Sequence, residues 1–322
     1  TAGIAAVLAR LLWPPLEDAR VDQLRGELTA RALGRGSVPA TIAWEELRGA
    51  LHGGRYRLPV EGTVSGLDTL DLRQVERMHG LVARPDRLVV VVAGPVDRRA
   101  VELTVTSVLA SEAGRSDSHE PALQELSVME TGPIERRRTL ASSHTQVLLG
   151  FGTGGASAPG EAARAVLAAL LAVGELSVTR HLEREGLAYG STVDHVEGRD
   201  AGHLALGVET APEGEAVVLA ALREVVAALQ GRPIPARALA AARGRAASRA
   251  AAALATPSDR AAALLRGEHI SRPPGSILAE PSRILAVSAE EVAETARRVL
   301  SRERELLVVV GPAPEGEEEP AE

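Results

Sequence analysis

The chain has 322 residues with 36 basic and 43 acidic side chains, a net charge of −7, and no basic block that would suggest nucleic acid. It has no cysteine, which excludes disulfides and thiolate metal sites. Hydrophobic residues make up 45 % and aromatics 2 %: the core is aliphatic, and the length suits two domains.

Every basic residue is an arginine. No apolar run reaches membrane-spanning length, since "VVLAALREVVAAL" is broken by Arg223 and Glu224; no membrane insertion is expected. The N-terminal "TAGIAAVLARLLWPPLEDAR" has neither the basic start nor the cleavage pattern of a signal peptide. A cytoplasmic place in a bacterial cell is expected, with the periplasm as the alternative.

In chain order, residues 1–112 read as a first unit. Within it, Asp71 is placed to cap a helix, and the β-branched run after Arg87 reads as a strand ending at Gly94-Pro95. Residues 113–138, polar with scattered Gly and Pro, read as a linker. Residues 139–312 read as a second unit. It opens with a strand in "HTQVLLGFGT" and one long helix or two from Gly160 to Glu185. Two strands follow, "LAYGSTVDHVE" and "HLALGVET", joined at "GRDAG". A helix in "PEGEAVVLAALREVVAALQ", several Ala/Arg helices to about Leu285, a last helix and the strand "LLVVV" complete it. Residues 313–322 form an acidic tail expected to be disordered. The order predicts an α+β fold, each unit a mainly antiparallel sheet with helices on one face.

An internal repeat supports two related units. "VERMHGLVARPDRLVVVVAGP" (Val75 to Pro95) aligns without a gap to "VAETARRVLSRERELLVVVGP" (Val292 to Pro312), an offset of 217 residues. Both run from an amphipathic helix through a polar turn to a β-branched stretch, and Ser288 matches Asp71 as a cap.

Chemical motifs are few. "GFGTGG" contains Gly150-x-Gly152-x-x-Gly155, but "ASAP" intervenes before a helix and no acidic strand end follows, so a strand running into a glycine loop is the better reading. The histidines are His52, His79, His119, His144, His181, His195, His203 and His269. No two lie three to five residues apart, so none form a helical metal pair. The acid pairs Glu45-Glu46 and Glu290-Glu291 read as solvated helix positions. Tyr189 is one of only two tyrosines and stands among small residues in "EREGLAYGS". It is either a ring packed at a domain interface or a hydrogen-bond donor to something bound.

Three stretches carry a family resemblance: "LHGGRYRLPVEGT" with "LDLRQVERMHGLVARPDRLVVVVAGPVD", "HLEREGLAYGSTVDHVEGRDAGHLALGVETAPE", and the closing "VSAEEVAETARRVL" with "LLVVVGP". From about Leu16 to Pro312 the chain resembles the pitrilysin-like zinc peptidases, which include the mitochondrial processing peptidase and the core subunits of the cytochrome bc1 complex. The resemblance implies two similar α+β domains, in agreement with the repeat.

Active members carry H-x-x-E-H in their first domain. This chain has no such motif, and the position of the third-ligand Glu falls near Ala30 and Arg31, with Glu27 one helical turn away. The resemblance therefore implies a non-catalytic subunit with no cofactor of its own. A catalytic partner carrying H-x-x-E-H supplies the zinc, the two chains enclose a chamber, and an extended peptide is the substrate. It also implies that Tyr189 donates to that peptide. The family arginine that accompanies this Tyr falls on Leu182, which makes Arg184 the nearest substitute, with Arg180 a weaker one. Two alternatives stay open: a zinc motif upstream of residue 1 in an active full-length peptidase, and a structural assembly subunit without peptide handling.

Overall fold

The computed structural model describes residues 2–52, 58–110, 133–156, 158–174, 176–177 and 182–313. The expected tail beyond residue 313, most of the expected linker, His119, Arg180 and His181 lie outside these residues.

Six helices come first: α1 (Ala2–Leu12), α2 (Asp18–Arg35), α3 (Pro39–His52), α4 (Val64–Asp68), α5 (Leu72–Val82) and α6 (Arg98–Ala110). Then follow strands β1 (Ile134–Thr139) and β2 (Thr145–Gly154), helix α7 (Glu161–Ala172), and the hairpin β3 (Gly190–Glu197) and β4 (Ala201–Thr210). Helices α8 (Glu215–Gly231), α9 (Ala236–Ala252), α10 (Pro257–His269), α11 (Pro274–Leu278), α12 (Glu280–Ala286) and α13 (Ala289–Val299) lead to strand β5 (Glu305–Gly311). The fold is α+β.

One five-stranded sheet runs β1-β5-β2-β4-β3. Only the β1–β5 pair is parallel. On one face, helices α7, α8, α9, α12 and α13 close the main core over Val147, Leu149, Phe151, Leu204, Leu206 and Leu307. The other face is covered by α3, a helix from the first unit. Its stripe Ala43, Leu47 and Leu51, spaced by four, packs on Leu148, Ala205, Leu306, Val308 and Val310. Strand β2 is thus buried on both faces, which is why "HTQVLLGFGT" is apolar almost throughout rather than alternating. Two glycines admit the helix. A Cβ at Gly150 would stand 2.6 Å from Leu47 Cδ1, and one at Gly207 3.2 Å from Trp44 Cζ2.

The repeat extends further in the structure than in the aligned residues. At the same offset of 217, helices α2, α3, α4 and α5 and the turn Pro85–Arg87 recur as α9, α10, α12, α13 and Arg302–Arg304, within one residue at each end. Both final helices start with a complete capping box: Asp71 with Gln74, and Ser288 with Glu291.

The two copies part at their last element. Residues 305–311 form β5, bonded on both sides by β1 and β2. Residues 88–93, expected as a strand, are not one, and Val89 and Val90 are exposed. A strand is held by neighbouring strands, and residues 88–93 have none among the described residues. A second difference is at residues 134–138, read by composition as linker, which form most of β1. "IERRRT" reads as linker because it is a sheet edge, where exposed charges discourage pairing with other chains. Arg137 pairs with Glu135 and Glu215, and Arg138 with Glu46, at 2.6–2.7 Å.

Candidate functional site

The sheet has two edges, β1 and β3. Where β1 is lined with arginines, β3 carries Ser191, Thr192, Val193 and Val196. Tyr189 stands at its head. Its N–H donates to Glu209 O at 2.8 Å, continuing the ladder with β4. Its ring is 64 % exposed and meets the His144 ring edge-on, with centroids 5.0 Å apart and planes at 83°. Tyr189 is therefore not a buried interface ring within this chain, and its hydroxyl bonds to no described residue.

Leu182, where the resemblance leads us to expect an arginine, is fully buried in the main core. Arg184 is exposed on the helical turn at 182–184 and makes no hydrogen bond or ion pair with a described residue, Tyr189 included. The structure thus brings Tyr189 together with His144 and does not join it to Arg184.

Arg31 lies on α2 with Nη1 3.6 Å from Glu61 Oε1, and Glu61 is also bonded by Arg35. Glu27 accepts from Gln23 at 3.0 Å. Among the described residues no group of three or more His, Asp or Glu side chains is placed to hold a metal ion.

A polar chain that sequence spacing could not reveal lies between α3 and the sheet. His52 Nε2 is 3.0 Å from His203 Nδ1, and His203 Nε2 is 3.1 Å from Asp194 Oδ2. His203 is only 2 % exposed. Burial, then the neighbouring His203 and Arg48, push the His52 pKa down to about 4. The hydrogen bond from His203 holds the Asp194 carboxyl below its usual range. Side chains alternate along β3, so Ser191, Val193, His195 and Glu197 point to the opposite face, where they line a cavity beside α7 and α9. There Arg164 of α7, 2 % exposed, reaches Glu197 Oε1 with Nη2 at 3.1 Å and donates from Nη1 to Pro159 O at 2.9 Å. Burial pushes the Glu197 carboxyl up to about 7 against the pull of Arg164. Burial, then the charge of Arg164, pushes the His195 ring down to about 4. Paired, buried groups of this kind fasten β3 to α7.

A family model described as the peptidase M16 inactive domain matches residues 69–245, more than half of the chain, and the chain belongs to this family. The part matched is the family's inactive domain. The chain is similar in fold to a peptidase M16 inactive domain from Pseudomonas fluorescens: 18 % identity, TM-score 0.78, covering 97 % of this chain and 74 % of that one. It is similar to a protease from Helicobacter pylori at 14 % identity and TM-score 0.80, covering 97 % and 78 %. A chain of the Candida albicans complex III2 structure with Inz-5 bound has 13 % identity and TM-score 0.72, covering 96 % and 75 %. No curated protein matches the sequence. Among the described residues no helix is long and apolar enough to cross a membrane.

Proposed function

We propose that the chain is the substrate-binding, non-catalytic subunit of a heteromeric zinc-dependent peptidase, and that it forms half of a peptide-binding chamber. The observation that carries this reading is the open edge of β3 headed by the exposed Tyr189. A strand edge presents unpaired N–H and C=O groups to which an extended peptide adds with little demand on its sequence. A phenol hydroxyl gives a donor for one peptide carbonyl. The other edge, β1, carries three consecutive arginines and is ill suited to pairing. Arg184 serves as a second donor at the same end. The units 1–112 and 134–312, the second now opening at β1 and joined to the first through 113–133, with the tail 313–322 after them, are the two peptidase-like halves of this subunit. A pitrilysin-like partner with H-x-x-E-H holds the zinc and performs the hydrolysis.

The test is reconstitution. The chain is co-expressed with an H-x-x-E-H homologue from the same genome, and cleavage of a quenched fluorescent peptide is followed. Cleavage that requires both chains, together with their copurification, is the expected outcome. One zinc per chain and cleavage by this chain alone would overturn the reading. Copurification into a membrane complex with no peptide cleavage would replace it with a scaffold role.

A further inference from the structure

A cavity of about 550 Å³ lies between β3 and helices α7 and α9 to α12, within the size range of small-molecule sites. Its cause is compositional. Helices α7 and α9 line it with alanines, among them Ala165, Ala169, Ala246 and Ala250, where larger side chains would fill the gap. Ile270, Ile277 and Ile284 complete an aliphatic wall.

The remaining lining is polar and incompletely satisfied. Ser191 Oγ and His195 Nε2 are buried and have no hydrogen-bond partner, Nε2 standing 3.6 Å from Glu197 Oε1, beyond hydrogen-bond reach. Arg272 Nη2 is in the same condition, although its Nη1 is paired with Glu161 and Glu280. Orphaned buried groups of this kind cost roughly 1–3 kcal/mol each, which a ligand that bonds them removes. The charges at the opening favour one sign. Arg245 and Arg249, one turn apart on α9, and Arg266 on α10 line the cavity and are exposed. None of them has a carboxylate partner among the described residues. The acids of the lining, by contrast, are engaged: Glu161 and Glu280 with Arg272, and Glu197 with Arg164. Arg249 and His195 both line this cavity.

We infer that this cavity binds a small aliphatic carboxylate, with its chain against the alanine and isoleucine wall and its carboxylate toward Arg249, Ser191 and His195. The guanidinium and the hydroxyl donate to the carboxylate oxygens, and the imidazole adds a donor when its proton is on Nε2. Such a group comes either from a free medium-chain acid or from the C-terminal residue of a peptide ending in leucine. The site includes neither Tyr189 nor a partner chain, so it stands or falls apart from the proposed peptidase role.

Calorimetric titration of the 322-residue chain tests it. The probes are octanoate, octanol, and a tripeptide ending in leucine with its amidated counterpart. Saturable binding of octanoate or of the free-acid tripeptide, with octanol or the amide at least about tenfold weaker, is expected, and the preferred probe names the source. Arg249→Ala, at an exposed position, should weaken that binding about tenfold, a typical loss for one charge-assisted hydrogen bond. Ala250→Leu should abolish it by filling the cavity. Equal binding of acid and neutral probe, or parental affinity in Arg249→Ala, would overturn the inference. The exposed-site variant keeps the test decisive where Ala250→Leu does not fold.

Discussion

His52 and His203 lie 151 residues apart in the chain and share a 3.0 Å contact between Nε2 and Nδ1. One closes helix α3 of the first unit; the other is buried in the central sheet of the second. The contact continues to Asp194 on the edge strand. The helix that roofs one face of the sheet is therefore fastened by a directional polar link as well as by its apolar stripe.

Removing that link should be felt at both ends. His52→Ala leaves the buried His203 Nδ1 without a partner, a loss of roughly 1–3 kcal/mol. In a cycle with Asp194→Ala, chemical denaturation should show non-additive losses, because the three groups form one network. Strict additivity would mean that the network contributes no coupling.

The apolar part of the same contact is larger. Leu47 is fully buried between α3 and the sheet, and Leu47→Ala should destabilise by about 2–5 kcal/mol. Gly150→Ala attacks the contact from the sheet side, where the new Cβ meets Leu47 at 2.6 Å. Overpacking of this kind costs about 1–3 kcal/mol. Urea midpoints of the two variants check both numbers.

Stability should depend on pH in a way that one substitution isolates. The pKa of His195 is lowered from 6.5 to about 4 in the folded chain. The unfolded chain therefore takes up the proton more readily, and the stabilising contribution, full above 6.5, is lost as pH falls toward 4. His52 acts in the same sense. Glu197 acts oppositely: its pKa is raised from 4.5 to about 7, so falling pH through that window relieves its cost. His195→Gln removes one acid-labile contribution, and its urea midpoint should fall less between pH 7 and pH 4.5 than that of the parent chain. Parallel curves for the two proteins would count against the buried neutral histidine.

Arg164 and Glu197 form a buried pair whose separate removal should be costly. Arg164→Met leaves Glu197 in a desolvated site, at a cost of about 3–5 kcal/mol once the pH is high enough to ionise its carboxyl, so the variant should lose stability most steeply above pH 7. Adding Glu197→Gln should restore a large part of it. A double variant no more stable than Arg164→Met would show that Arg164 matters through Pro159 O and the loop before α7 instead.

Tyr189 is exposed, so Tyr189→Phe should leave the unfolding free energy unchanged within about 0.5 kcal/mol. In the reconstituted peptidase pair it should lower peptide cleavage about tenfold, the loss of one hydrogen bond to the bound peptide. Unchanged cleavage would remove the hydroxyl from the binding machinery.

Much of this fold was legible because local signals repeat. The apolar spacing and caps of Leu72–Val82 and Ala289–Val299, the hairpin around "GRDAG" and the family pattern of "GLAYG" are short-range features that the chain carries wherever it folds. Residues 88–93 were misread for the opposite reason. Their side chains match those of β5, but a strand forms only where neighbouring strands bond it. Residues 134–138 were misread because a charged sheet edge has the composition of a linker.

The candidate site divides in the same way. Tyr189 was singled out by its rarity and its setting, and Leu182 by count from it. What only the tertiary structure decided is which groups meet, His52 with His203 and Asp194 and Arg164 with Glu197, and which share one cavity, Ser191 and His195 with the arginines of α9. Local sequence determines helix periodicity, caps and turns, because those interactions span a few residues. Contacts across more than a hundred residues depend on how α3 and the later helices enclose the two faces of one sheet, and no local pattern encodes them.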